Sequence, residues 1–446
     1  MPPLLRSYPT LALPAPAALF VVLFAACGAG PDDGPPSIGE GPSNSVEEIS
    51  ASEAEPAPPV RPGIEVLLSD SLHLIEGRRV GLVTNHTGID REGISSIDRL
   101  HGADGVELVA LYSPEHGIRG TAEAGELVDH TVDDRTGLPV HSLYGDTRKP
   151  TPEMLEGVDV LLFDILDIGA RFYTYIYTMA LGMEAAGEAG IPFVVLDRPN
   201  AIGGWATQGN ILDPAFSSFV GMYPLPIRHG LTPGELARVY RGEFGVVAEL
   251  HVVPVEGLRR TMDMADTGLP WTPPSPNMPS LESAYHYPGT CLFEGTNLSV
   301  GRGTDRAFQQ IGAPWLDAER AVARLEELGI DGVRFEAVTF VPTAPGDGKF
   351  ADEELRGIRL HVTDRERYDP TRAGVALLSV TRALAREVGD SADPWEWRAA
   401  HFDRLAGGDA LRRGLEEGRE IDALVAGWDE ASRAFGERVE PYRIYP

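Results

Sequence analysis

Val106-Glu107-Leu108-Val109-Ala110-Leu111-Tyr112-Ser113-Pro114-Glu115-His116-Gly117 reads as one buried strand that halts at a proline and opens into a loop carrying a carboxyl group. The nearly continuous apolar run suits a strand covered on both faces, the habit of parallel sheets. Pro114 and Gly117 then hold the following loop in a non-helical path. Ligands of open α/β sheets collect beyond the carboxyl ends of the strands, so Glu115 marks where chemistry is expected.

Other runs end in the same way. Asn85 and His86 follow Val80-Gly81-Leu82-Val83, Asp164 and Asp167 follow Val158-Asp159-Val160-Leu161-Leu162-Phe163, and Asp197 and Arg198 follow Phe193-Val194-Val195-Leu196. A last strand is expected in 246–255. Helices are expected at 97–102, 151–156, 178–189 and 233–244; Thr151-Pro152 and Thr232-Pro233 supply an N-cap followed by proline at the first helical position. The alternation predicts a Rossmann-like, doubly wound, mostly parallel α/β domain over 61–265. A proline-rich linker at 266–280 leads to a smaller α+β domain at 281–446, with strands at 333–341 and 357–363 and helices at 318–328, 371–388, 409–417 and 421–433. The first strand-to-loop turn, Thr84-Asn85-His86-Thr87-Gly88, has none of the G-x-G-x-x-G glycines that admit a pyrophosphate, and there is no P-loop, so no nucleotide cofactor is expected.

Residues 1–27 carry export chemistry. Arg6 precedes the apolar run Ala17-Ala18-Leu19-Phe20-Val21-Val22-Leu23-Phe24-Ala25-Ala26, which is too short for a bilayer core of about 30 Å but has signal-peptide proportions. It ends at Cys27-Gly28, which looks like a lipobox with Phe24 in place of the usual Leu, so lipidation of Cys27 and a membrane anchor are expected. An ordinary signal peptide is the alternative. The stretch 28–60 has seven prolines, seven acidic residues and no basic residue, the composition of a disordered tether. Cys291 has no partner once Cys27 is lipidated, so no disulfide framework is expected and Cys291 reads as a packing residue. The formal charge of −29 and the lack of a basic stripe exclude nucleic acid as a partner.

Each polar cluster has a chemical and a structural reading. A glutamic acid lined by apolar residues resists ionisation and suits general-acid work; Glu115 could equally pair with Arg119. Asp164 or Asp167 could orient water or stabilise positive charge, or cap a helix. Arg119, Arg171, Arg198, Arg228 and Arg302 present planar forks suited to a carboxylate and are candidate substrate contacts. Asn85, His86, His116, Tyr173, Asp197, His229, Glu294 and Asn297 are further candidate substrate contacts. No H-E-x-x-H or clustered His/Cys spacing occurs, so no metal is expected, and no G-x-S-x-G elbow points to an esterase.

Gly81-Leu82-Val83-Thr84-Asn85-His86-Thr87-Gly88, Ser113-Pro114-Glu115-His116-Gly117-Ile118-Arg119-Gly120, Leu143-Tyr144-Gly145, Lys149-Pro150-Thr151, the run from Phe163 to Tyr175, Leu196-Asp197-Arg198-Pro199-Asn200 and the block 287–304 together resemble the exo-β-N-acetylmuramidase family (glycoside hydrolase family 171) from about residue 62 to 446. The resemblance implies a cleft between two domains, cleavage of N-acetylmuramic acid from the non-reducing end of peptidoglycan fragments, and a catalytic glutamate at Glu115. Leu166, Ala201, Thr207-Gln208 and Ala307-Phe308-Gln309 depart from the family pattern. These departures leave open a second class, a surface lipoprotein that binds muropeptides or other sugars without cleaving them.

Overall fold

From Gly63 the chain runs α1 (Gly63–Asp70), β1 (Arg79–Thr84), α2 (Ser96–His101), β2 (Glu107–Ser113), β3 (Thr131–Val132), β4 (Pro139–Ser142), β5 (Val160–Asp164), α3 (Tyr175–Ala189) and β6 (Phe193–Leu196). A ribbon of β7 (Gln208–Ile211) and β8 (Pro226–Arg228) precedes α4 (Pro233–Glu243) and β9 (Leu250–Val253). The computed structural model describes residues 60–119, 131–388 and 393–446. Cys27, the leader at 1–27 and the tether up to residue 59 lie outside the described residues.

Seven strands form one sheet in the order β3-β4-β2-β1-β5-β6-β9. All neighbours are parallel except β3 and β4. The register places Leu82 beside both Leu111 and Leu162. Alternate side chains feed opposite faces: Leu82, Leu111, Leu162 and Val194 pack with α1 and α2, whereas Val83, Phe163 and Val195 pack with α3 and α4. Both faces are therefore buried, which is why the strands read as unbroken apolar runs.

Three expectations are corrected. Residues 151–156 form turns rather than a helix; Gly157 at φ +81° breaks the path after too few residues to sustain helix. The run 246–255 is a strand only over Leu250–Val253, because its one neighbour β6 offers four residues and Val247 is 77 % exposed. The helix expected at 421–433 is split into Ile421–Leu424 and Trp428–Val439, with Gly427 at φ +82° between them. Where the sequence matched helix rules the match is close: the Thr232 hydroxyl accepts from Glu235 N in a full capping box, with Pro233 in the first turn.

The remaining strands and α-helices are α5 (Met264–Thr267), α6 (Leu281–Thr290), β10 (Gln310–Ala313), α7 (Ala318–Glu327), β11 (Val333–Phe340), β12 (Leu355–Val362), α8 (Pro370–Glu387), α9 (Ala399–Ala406), α10 (Ala410–Glu417), α11 (Ile421–Leu424) and α12 (Trp428–Val439). The three strands make an antiparallel sheet in the order β10-β12-β11. The core on the α3–α4 face continues into this half, where Phe172 meets Tyr287 edge-on with centroids 5.3 Å apart. The proline-rich stretch is stitched to the large sheet: His86 Nε2 donates to the Pro273 carbonyl at 2.7 Å and the Tyr175 hydroxyl to the Pro274 carbonyl at 2.7 Å.

Candidate active site

β1, β2, β4, β5 and β6 all end at one rim of the sheet, with Thr84 level with Asp164 and Ser113 level with Ser142. Over the β2–β4 part of that rim lies a cavity of about 430 Å³, within the range of small-molecule sites, about 300–1,000 Å³. One wall carries Glu115, His116, Tyr144, Arg148 and Thr174; the other carries Glu294, Arg302, Lys349, Arg398 and His401. Ser275 and Met278, from the proline-rich stretch, lie between them.

Glu115 is half-buried. The Thr174 hydroxyl donates to its Oε2 at 2.8 Å, and the Tyr144 phenol lies near enough for the Glu115 charge to act on it. Arg119 does not hold it: that side chain pairs with Asp133 and lies outside the cavity. The loop beneath is unusual, because His116 has φ +70°, a left-handed conformation that costs a non-glycine residue about 1–2 kcal/mol. Phe308, on the opposite wall, has φ +65°. Strain of this kind gathers where surrounding structure holds a working site in place.

The opposite wall is an ion network. Arg302 donates from Nε (2.8 Å) and Nη2 (2.5 Å) to Glu294 Oε1. Burial resists the Glu294 charge, yet Arg302, with Lys349 and His401 behind it, holds that carboxyl below the usual range. Lys349 is nearly sealed, with 5 % of its side chain exposed, and its ammonium donates to the carbonyls of Leu298 (2.8 Å) and Phe293 (3.3 Å). Burial lowers its pKa to about 8, against the pull of Asp347 and Glu294. Burial also raises the Cys291 thiol well above its ordinary value, so this cavity-lining cysteine is no nucleophile near neutral pH.

Of the residues expected to act, Glu115, His116, Tyr173, Glu294 and Arg302 line the cavity. The others are placed elsewhere. Asp164 is sealed below the rim, where Arg198 donates to it from Nε (2.5 Å) and Nη2 (2.9 Å) and the Ser96 hydroxyl adds a third bond. Asp167 accepts from Gly169 N at 2.7 Å and from His229 Nε2 at 3.1 Å. His229 Nδ1 accepts from Leu231 N, which leaves the hydrogen on Nε2. Asp197 takes the Thr232 and Tyr445 hydroxyls at 2.7 and 2.6 Å; burial raises its pKa to about 6.

The two fully buried arginines, Arg171 and Arg228, are likewise structural. Arg171 donates to the carbonyls of Asn210, Leu225 and Leu405, and Arg228 to Gln208 Oε1 and the Ile202 carbonyl. Burial lowers both to about 10. Asn85 ties Thr87, His86 ties Pro273, and Asn297 ties Pro394 and Glu396. None of these reaches the cavity.

Sequence reasoning missed Tyr144, Arg148, Thr174, Phe219, Lys349, Arg398 and His401. Tyr144 had a signal, since it lies in Leu143-Tyr144-Gly145, two residues beyond the end of β4. That strand spans only Pro139–Ser142 and is too short to read. The family departures Leu166, Ala201, Gln208, Ala307 and Gln309 all fall outside the cavity lining. Among the described residues no group of three His, Cys, Asp or Glu side chains could hold a metal ion.

Comparison with known proteins places this architecture. Models of the N- and C-terminal parts of the exo-β-N-acetylmuramidase NamZ match residues 80–282 and 285–445. The peptidoglycan β-N-acetylmuramidase NamZ of Bacillus subtilis strain 168 is 43% identical over 401 residues, 90% of this chain and 95% of its own length. Two crystal structures of DUF1343 family proteins from Bacteroides fragilis share the fold. One has TM-score 0.80 and 39% identity, covering 88% of this chain and 100% of its own; the other has TM-score 0.69 and 31% identity, covering 86% and 99%.

Proposed function

The chain belongs to the NamZ family of exo-β-N-acetylmuramidases, and from that premise we propose that it hydrolyses peptidoglycan fragments from their non-reducing ends with Glu115 as general acid. The observation that carries this reading is the fate of the strand-end carboxylates. Asp164, Asp167 and Asp197 are bound up inside the fold, whereas Glu115 faces the cavity, where the Thr174 hydroxyl donates to it. A carboxyl group so placed gives its proton to the glycosidic oxygen as the bond to the anomeric carbon breaks. Glu294 also lines the cavity, but Arg302 neutralises it with two bonds to Oε1, which makes it a poor nucleophile. Asp347, the third carboxylate in the lining, stands beside the Lys349 ammonium at 3.7 Å, so the substrate's own N-acetyl carbonyl is the group assigned to meet the positive charge at the anomeric carbon. The lactyl carboxylate of muramic acid suits the cationic wall of Arg302, Lys349 and Arg398.

A sugar-binding protein without turnover would be expected to differ from the family at the site itself, and the departures lie elsewhere. Incubation with muropeptide disaccharides, followed by mass spectrometry of the released sugar, tests the reading: free N-acetylmuramic acid is expected, and tight binding without release would replace hydrolysis by binding. We also infer from the leader and Cys27-Gly28 that the protein is exported and lipid-anchored at the membrane, with 28–60 as a spacer. Cys27→Ser should move it from the membrane to the soluble fraction; unchanged membrane association would refute the anchor.

A further inference from the structure

The Tyr144–Arg148 corner is left over once Glu115 has been assigned. Tyr144 follows Ser142, which is level with Ser113 at the end of β2; it lines the cavity with Glu115, whose charge acts on its phenol. Arg148, four residues further on, stands beside the same phenol, and its charge acts on it. Its guanidinium carbon lies 5.4 Å from the Tyr144 ring centroid and 4.2 Å from that of Phe219. Stacking on Phe219 fixes the planar group, and both residues line the cavity.

These contacts give the phenol a direction. A hydroxyl has one hydrogen to donate and lone pairs to accept. Arg148 can only donate, so it uses the accepting side of Tyr144 and leaves the hydrogen for Glu115. Thr174 supplies a second hydroxyl on Oε2. We propose that Arg148 and Tyr144 are positioning residues that orient the Glu115 carboxyl group and stabilise the carboxylate it becomes after protonating the leaving oxygen. The proton passes from Glu115 to the glycosidic oxygen as that oxygen takes the electron pair of the broken bond. The new negative charge is met by the Tyr144 and Thr174 hydroxyls, with the Arg148 charge behind them.

Other groups face Glu115. Tyr173 and Tyr175 are held neutral, chiefly by burial and also by its charge. His116 adjoins it, and the Glu294–Arg302 pair, Asp347, Lys349, His401, Arg398 and Arg404 line the rest of the cavity. Arg302 is committed to Glu294 and Lys349 to backbone carbonyls. Arg148 is the cavity cation that stands against the Tyr144 ring. Burial, and next the Glu115 charge, push the Tyr144 phenol up to about 12, so it stays a hydrogen donor throughout the working pH range.

The inference rests on the general-acid reading and makes an unusual demand. Removing the donor should make the acid hold its proton to higher pH while slowing the reaction. In Tyr144→Phe, kcat for a chromogenic muramide should fall about tenfold. Its alkaline limb should move up by about half to one pH unit, with KM changed less than about twofold. Arg148→Gln should shift the limb the same way by less, and Arg148→Lys should restore it. An unmoved limb in both Tyr144→Phe and Arg148→Gln, or a rise in KM alone, overturns the proposal. If the wild type releases no muramic acid, the functional reading fails separately, and infrared titration of the carboxyl band absent from Glu115→Gln still judges the relay. An upward move of that band in Tyr144→Phe upholds it; coincidence with wild type overturns it.

Discussion

At the end of β2 and at the ends of β5 and β6 the same sequence signal, an acidic residue just past an apolar run, has opposite outcomes. Glu115 projects into a cavity and meets the Thr174 hydroxyl. Asp164, Asp167 and Asp197 project into the fold and meet Arg198, His229 and Tyr445. The difference lies in what the rest of the chain lays over each strand end. A carboxylate buried with a bidentate arginine is locked, because removing either partner strands a charge. One that meets a hydroxyl donor at a cavity is placed to act on a bound sugar.

The sharpest way to break this contrast is to neutralise one member from each place. Glu115→Gln should reduce kcat about 10²–10⁴-fold with thermal unfolding unchanged. Asp164→Asn should cost about 3–5 kcal/mol of stability, read by urea denaturation, with kcat of the folded fraction near wild type. Reversal of the two readouts would invert the assignment. A smaller effect tests Asp197. Its folded pKa, about 6, is raised above its ordinary value, so the native state binds the proton more tightly than the unfolded chain. The resulting stabilisation is complete below about pH 4 and is lost as pH rises through 6, by about 2–3 kcal/mol. Asp197→Asn should flatten that part of the stability–pH curve; a slope equal to wild type would clear Asp197 of the effect. The smallest expected effect lies across the cavity. As Lys349 loses its proton near pH 8, KM for a muramide should rise a few-fold, by about the worth of one partly screened charge in the wall. KM for a substrate without the lactyl carboxylate should stay level, and parallel rises for both would remove Lys349 from recognition.

The large sheet was legible because strands buried on both faces leave unbroken apolar runs and α4 carries its cap and proline in the sequence. Short strands such as β4 left no pattern, and Tyr144 went with it. Strand ends pointed to a rim without saying which side chains turn outward, since that depends on partners dozens of residues away, such as Arg198 for Asp164. The cationic wall was hidden for another reason. Lys349 sits in Gly346-Asp347-Gly348-Lys349, a loop whose glycines signal a turn, and only folding brings it opposite Glu115.

The carbonyls of Pro273 and Pro274, gripped by His86 and Tyr175, fasten the stretch bearing Ser275 and Met278 to the rim before any sugar arrives. A cavity closed in that way has no hinge to wait for. An inhibitor shaped like the flattened sugar ring should therefore reach its final affinity in a single fast phase, with no slow-onset tightening in the progress curve.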